Sequence, residues 1–182
     1  DEPETQRLRS ENFIKTYHPQ KSLKPKPRPI QKPKRIRIGY FSSDFYDHAT
    51  MHLMIKVFEV HNKNDFEVFA YSFGPSQNDK MRSRFKNAVD LFYDVKDLSD
   101  REIALLAQKD ELDIAIDLKG YTTNSRSGIF AYGAAPIQIS YLGYPGTSGA
   151  SFIDYIIADK VIIPKQNKLT LFINLCIYRH IS

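Results

Sequence analysis

The sequence predicts an α/β protein built on a mostly parallel sheet, and three observations carry that expectation. Short runs rich in β-branched and aromatic residues alternate along the chain with amphipathic stretches. The run Leu112 to Leu118 is apolar apart from Asp113 and Asp117, as a strand buried on both faces must be. That run and the next, Ile137 to Leu142, both end in polar, glycine-bearing turns: Lys119 to Thr122, and Gly143 to Gly149. In open α/β sheets ligands bind where strands end in such loops.

Taken in order, Thr5 to Tyr17 suits a short helix with a thin apolar stripe of Leu8, Phe13 and Ile14. Such a helix needs a partner, most simply the end of an upstream helical domain. From Lys15 to Arg37 there are nine Lys or Arg, no acid, and five of the chain's ten prolines. This composition favours extended polyproline II and reads as a basic linker. A nucleic-acid or anionic-membrane tail is the alternative, but no aromatic is interleaved between Leu23 and Arg35.

Ile36 to Phe41 is the first expected strand, closed by Ser42-Ser43-Asp44, and Thr50 to Val60 has helical spacing. Phe66 to Phe73 is a strand ended by Gly74-Pro75, Asp79 to Ala88 a polar helix, and Leu91 to Val95 a short strand. Ser99-Asp-Arg-Glu102 matches the reciprocal capping pattern that opens a helix, here to about Lys109. The two buried strands follow, joined through a short helix near Ser125 to Tyr132, and Tyr155 to Ala158 makes a sixth strand. After Pro164 an apolar tail runs to Ser182. It reads as a truncated or frame-shifted end, with a genuine final strand as the alternative.

At 182 residues the chain suits one ordinary domain. No apolar run approaches the ~20 residues a bilayer span needs, and the first residues lack the basic and apolar parts of a signal peptide. A single cysteine, Cys176, excludes an internal disulfide and a cysteine metal cage. These features fit a cytoplasmic protein without membrane or nucleic-acid partners.

Four groups of residues are chemically suggestive. His48, between the first strand and first helix, sits at the carboxyl edge of the sheet. There it can accept a proton or hydrogen-bond a hydroxyl, or simply cap the helix. His52 follows at the i,i+4 spacing of a zinc pair, but a third ligand would have to come from Asp44 or Asp47, so no metal is expected and His52 is placed beneath the cleft. Asp117 interrupts an apolar strand at its end, where a carboxylate must be paired or hydrogen-bonded. It could orient a donor or shuttle a proton, or be satisfied by Lys119 or the turn's N–H groups. Gly143, Gly146 and Gly149, with Thr147 and Ser148, could cradle phosphate or form a plain turn.

The stretches RIRIGYFSSDFYDHATMHLM, AIDLKGYT, FAYGAAPIQISYLGYPGTSG and IDYIIADKVIIP, in that order, resemble the catalytic region of the protein O-linked N-acetylglucosamine transferase family, including its SPINDLY-like group. The resemblance runs from about Ile36 to Pro164. It implies the first Rossmann-like lobe of a two-lobed GT-B glycosyltransferase, with 1–35 as the tail of a tetratricopeptide-like region plus linker, 36–164 as the lobe, and 165–182 as an aberrant tail. It further implies transfer of N-acetylglucosamine from UDP-N-acetylglucosamine to Ser or Thr hydroxyls of proteins, with inversion, no required metal and no cofactor beyond the donor substrate. Partners are then a protein or peptide acceptor and a UDP-sugar. His48 and Asp117 become the catalytic candidates, and Thr122, Lys119, Gly146 and Thr147 the substrate-binding ones. Most groups that hold the diphosphate belong to the second lobe, so these residues alone are expected to be inactive. The rival reading is a non-catalytic Rossmann-like lobe or protein-interaction module.

Overall fold

A computed structural model describes residues 3–18, 23–29, 35–144, 146–158 and 174–177. The elements are α1 (Pro3–Tyr17), β1 (Ile36–Ser42), α2 (Ala49–Val60), β2 (Phe66–Ser72), α3 (Lys80–Ala88), β3 (Leu91–Asp94), α4 (Asp100–Lys109), β4 (Ile114–Asp117), α5 (Gly128–Ala131), β5 (Ile137–Tyr141), β6 (Tyr155–Ala158) and β7 (Asn174–Ile177). Seven strands form one sheet in the order β3-β2-β1-β4-β5-β6-β7. Every pairing is parallel.

Strand alternation divides the core into two layers. Ile38, Tyr40, Val68, Ala70 and Ile116 face one side, where Met51, Met54 and Phe58 of α2 and Phe85 of α3 cover them. Phe41, Phe69, Tyr71 and Ala115 face the other, against Ile103 of α4 and Ile129 and Phe130 of α5. A period of two with apolar residues on both faces is the signature of a sheet sandwiched by helices. The chain runs outward from β1 to β3 over one face, then returns to the far side of β1 as β4. The strand order therefore reverses between β1 and β4, and in open α/β sheets ligands bind outside the carboxyl ends of strands at such a reversal.

The reciprocal cap on α4 forms as its sequence requires: Ser99 Oγ accepts from Glu102 N, and Glu102 accepts from Ser99 N at 2.8 Å. Two expected elements are shorter in the structure by more than one residue. β4 begins only at Ile114, because Asp113 is occupied with Arg37 N at 2.8 Å and with the Arg28 guanidinium. α5 is one turn long, preceded by a turn in which Asn124 has φ of 61°.

The start of the chain departs from expectation. α1 packs on the lobe itself: Ile14 joins the core and Ser10 is buried, whereas Leu8 and Phe13 stay largely exposed. The described part of the basic stretch also lies on the lobe. Lys24 Nζ contacts both oxygens of Asp154 at 2.7 Å, and Arg28 pairs with Asp113. Fixed acids on the lobe surface match the cations of an already extended segment, so these residues are docked where a solvated linker was expected. The remainder of the stretch, 19–22 and 30–34, lies outside the described residues, as do Pro164 and most of the tail. Within that tail, 174–177 adds β7 beside β6. Among the described residues no helix is long and apolar enough to cross a membrane.

Candidate functional site

The carboxyl ends of β1 and β4 bring three polar side chains together. β1 leads into Ser42-Ser43-Asp44, and Phe45 anchors that loop in an aromatic box with Phe58, Phe85 and Phe92. Arg82 of α3, almost wholly buried, ties the same loop to the neighbouring strand ends. Its guanidinium donates to Phe45 O and Ser72 Oγ, both at 3.1 Å, and to Asp94 at 2.8 Å. The Asp44 carboxylate accepts from Ser43 Oγ at 2.8 Å and from Lys119 Nζ at 2.8 Å. Both partners of this ion pair are buried, their side chains 8 % and 9 % exposed. A buried pair of this kind persists only where geometry and further hydrogen bonds offset desolvation.

Lys119 is aimed by its own turn. Asp117 Oδ1 accepts from Lys119 N at 2.8 Å and from Gly120 N at 3.1 Å, and Thr122 Oγ1 donates to Lys119 O at 3.0 Å. Both sides of the Lys119 backbone are thereby held, and the side chain is left to reach Asp44. Burial pushes the Asp117 carboxyl above its ordinary value, against the opposing pull of those two N–H groups and Lys119. Gly120 takes φ of 53°, and a Cβ there would meet Tyr144 Cβ at 2.5 Å. At Gly143 a Cβ would come within 2.1 Å of Leu118 O, so the β5 loop closes against the β4 turn only because that residue is glycine.

His48 is the N-cap of α2. Its Nδ1 accepts from Thr50 N at 3.2 Å and stands 3.7 Å from Asp44 Oδ2, with the ring partly exposed. His52, expected beneath the cleft, is instead exposed and bonded to Asp47 Oδ1 at 2.7 Å. Helical spacing put it near His48 in sequence, but the acid preceding the helix captures it outside. Among the described residues no three potential ligands gather to hold a metal.

The structure therefore brings His48 and Lys119 together through Asp44, a residue for which the sequence suggested only a third metal ligand. Arg82 escaped notice because nothing in a polar helix marks one cation as the buried one. Asp117 and Thr122 act on Lys119 from behind. Gly146 and Thr147 are not part of this group: Thr147 is buried, its hydroxyl accepting from Gly149 N and its carbonyl accepting from Ser10 Oγ of α1. A Cβ on Gly146 would meet Gln6 Nε2 at 2.4 Å, so α1 lies over this loop. A narrow crevice lined by Asp117, Tyr121, Ser127, Ser140 and Tyr144 adjoins the site but does not contain His48, Asp44 or Lys119.

A doubly covered parallel sheet with a cation, an acid and a histidine at its switch point defines a Rossmann-like lobe of an α/β enzyme. More narrowly, the chain belongs to glycosyl transferase family 41, whose model matches residues 12–178. It is 45 % identical over 133 residues to a probable UDP-N-acetylglucosamine–peptide N-acetylglucosaminyltransferase, SEC, of Arabidopsis thaliana, covering 73 % of this chain and 14 % of that protein. To the UDP-N-acetylglucosamine–peptide N-acetylglucosaminyltransferase of Caenorhabditis elegans it is 41 % identical over 136 residues, 74 % of this chain and 12 % of that one. A solved mutant of the Thermobaculum terrenum O-GlcNAc transferase superposes with a TM-score of 0.85 at 28 % identity, over 96 % of this chain and 34 % of that chain. The chain thus spans only a small part of the length of these relatives.

Proposed function

We propose that this chain forms one wall of the active cleft of a protein O-glycosyltransferase that moves N-acetylglucosamine from UDP-N-acetylglucosamine to Ser or Thr hydroxyls, without a required metal. The observation that carries this reading is the His48–Asp44–Lys119 cluster at the switch point, supported by the family match. In a single displacement with inversion, the acceptor oxygen attacks the anomeric carbon and loses its proton, while UDP leaves with growing negative charge. The reaction needs a group to manage the acceptor proton and cations to meet the leaving diphosphate. His48, partly exposed beside the crevice, suits the first role. Lys119, a point charge on a flexible stem held by its turn, suits the second. Asp117 and Thr122 position Lys119. Thr147 and Gly146 serve by seating their loop beneath α1. The setting of this reading is the cytoplasm.

The test uses a chain extended with a relative's remaining catalytic region, assayed for sugar transfer to a Ser/Thr peptide. His48→Ala should lower the single-turnover rate by roughly 10²–10⁴-fold with little change in melting temperature. A rate within a few-fold of the parent would make His48 a helix cap and nothing more. The 182 residues on their own should give no turnover, since one wall cannot exclude water or hold the diphosphate.

A further inference from the structure

The ring of His48 has two competing partners on the same nitrogen. Thr50 N–H donates to Nδ1 at 3.2 Å, while Asp44 Oδ2, an acceptor, stands 3.7 Å from that same atom. A neutral imidazole carries one proton, and only one of these partners can be satisfied at a time. When Thr50 caps, Nδ1 holds a lone pair and Nε2 carries the hydrogen, so the ring offers the crevice a donor. When Asp44 takes Nδ1–H, Nε2 holds the lone pair and the ring offers an acceptor. Lys119 Nζ occupies the very oxygen, Asp44 Oδ2, that would draw the proton to Nδ1.

We infer that Asp44 is a positioning residue that sets the tautomer of His48, and that the Lys119 ion pair governs it. With Lys119 seated on Asp44, the Thr50 cap holds and His48 cannot accept a proton through Nε2. A diphosphate that draws the Lys119 ammonium toward itself leaves Asp44 without its cation. The carboxylate then attracts Nδ1–H: Nε2 releases its proton to water, Nδ1 takes one up, and net charge on the ring is unchanged. Nε2 is now free to receive the acceptor hydroxyl's proton, and the resulting imidazolium rests against Asp44. The donor's arrival thus readies the base, which guards against proton abstraction before the sugar is in place. Tyr46, whose ring centroid is 5.6 Å from that of His48, adds no charge to this balance.

This rests on the preceding reading for its purpose, but its test needs no turnover. In the ¹⁵N-labelled 182-residue chain, long-range proton–nitrogen correlation of the imidazoles, assigned with His48→Gln, reports which nitrogen of the neutral ring carries hydrogen. The unaltered chain should show His48 as the Nε2–H form. Lys119→Met should reverse the major tautomer to Nδ1–H, and Lys119→Met with Asp44→Asn should restore Nε2–H. Lys119→Gln, which removes the cation from Asp44 while keeping a polar side chain in the turn, should also shift the ring toward Nδ1–H. Should Lys119→Met not fold, Lys119→Gln decides alone. Retention of Nε2–H in either folded variant, or Nδ1–H in the unaltered chain, overturns the inference. A reversed tautomer alongside an unaffected His48→Ala turnover would sink the functional reading and leave the switch standing.

Discussion

The two ends of β4 each carry an aspartate and a nearby cation, yet they are built for different ends. At the amino end Asp113 receives the Arg28 guanidinium and Arg37 N, and Arg37 in turn reaches Glu67 and Glu111, each at 3.0 Å. Arg35 adds Asp90 at 3.2 Å. This is a half-exposed lattice in which Asp113, Glu67 and Asp90 each have more than one donor, and it staples the incoming chain to the sheet. At the carboxyl end the groups are fewer and more deeply buried. Asp117 is spent on backbone, Asp44 on Lys119, and a partly exposed histidine stands beside them within reach of two partners. A saturated network resists change. A buried pair with one neighbour left over can be rearranged by a ligand.

Substitution should expose that difference, most strongly at the carboxyl end. Lys119→Met leaves the Asp44 carboxylate buried without its cation and should cost about 3–5 kcal/mol of unfolding free energy in urea titration. At the amino end Arg28→Met should cost less, about 1.5–3 kcal/mol, because Asp113 keeps Arg37 N. Equal losses at the two ends would remove the distinction. Asp117→Ala strands two turn N–H groups and should cost about 1–3 kcal/mol for each that finds no water. Asp117→Asn retains an accepting oxygen and should lose no more than about 1 kcal/mol; a larger loss would show that the charge, not the acceptor, holds the turn.

Acid titration separates the ends by sign. Burial alone would raise Asp113, but Arg28 and the Arg37 N–H hold its carboxyl below the ordinary range. A depressed folded value contributes stability that is present above the unfolded pKa of about 3.9 and lost as pH falls through the folded value. Asp117 has the opposite sign, because burial raises it. Its contribution is present below that unfolded value and is lost as pH rises through the folded one. Asp113→Asn should therefore flatten the acid limb of a stability–pH curve, and Asp117→Asn its rise-side loss. Matching slopes for the two variants would contradict these assignments. The smallest effect belongs to a site remote from both ends: Ser99→Ala, which removes the α4 cap, should cost about 1 kcal/mol in thermal melts.

Sequence periodicity determined the strands β1 to β6, the helices and the parallel sheet, because a strand covered on both faces must be apolar in both registers and helices must show one apolar stripe; β7, in what read as an aberrant tail, it did not. It also marked the polar turns that close β4 and β5, since glycine and polar residues there are local turn chemistry. Likewise the cap on α4 was legible, being a bond between residues three apart. What needed the tertiary structure was the partner of each charge. Asp44 and Lys119 lie 75 positions apart in the chain and meet only because β4 is laid beside β1. No local pattern distinguishes Arg82, buried on three partners, from the exposed cations around it, or shows that His52 turns outward to Asp47. Asp117 was visible as an acid needing a partner, but whether it faced substrate or its own turn depended on backbone geometry. α1 and the described part of the basic stretch, 23–29, misled for the same reason. Composition reports what a segment cannot bury alone, and only the acids and loops of the folded lobe decided that it would dock.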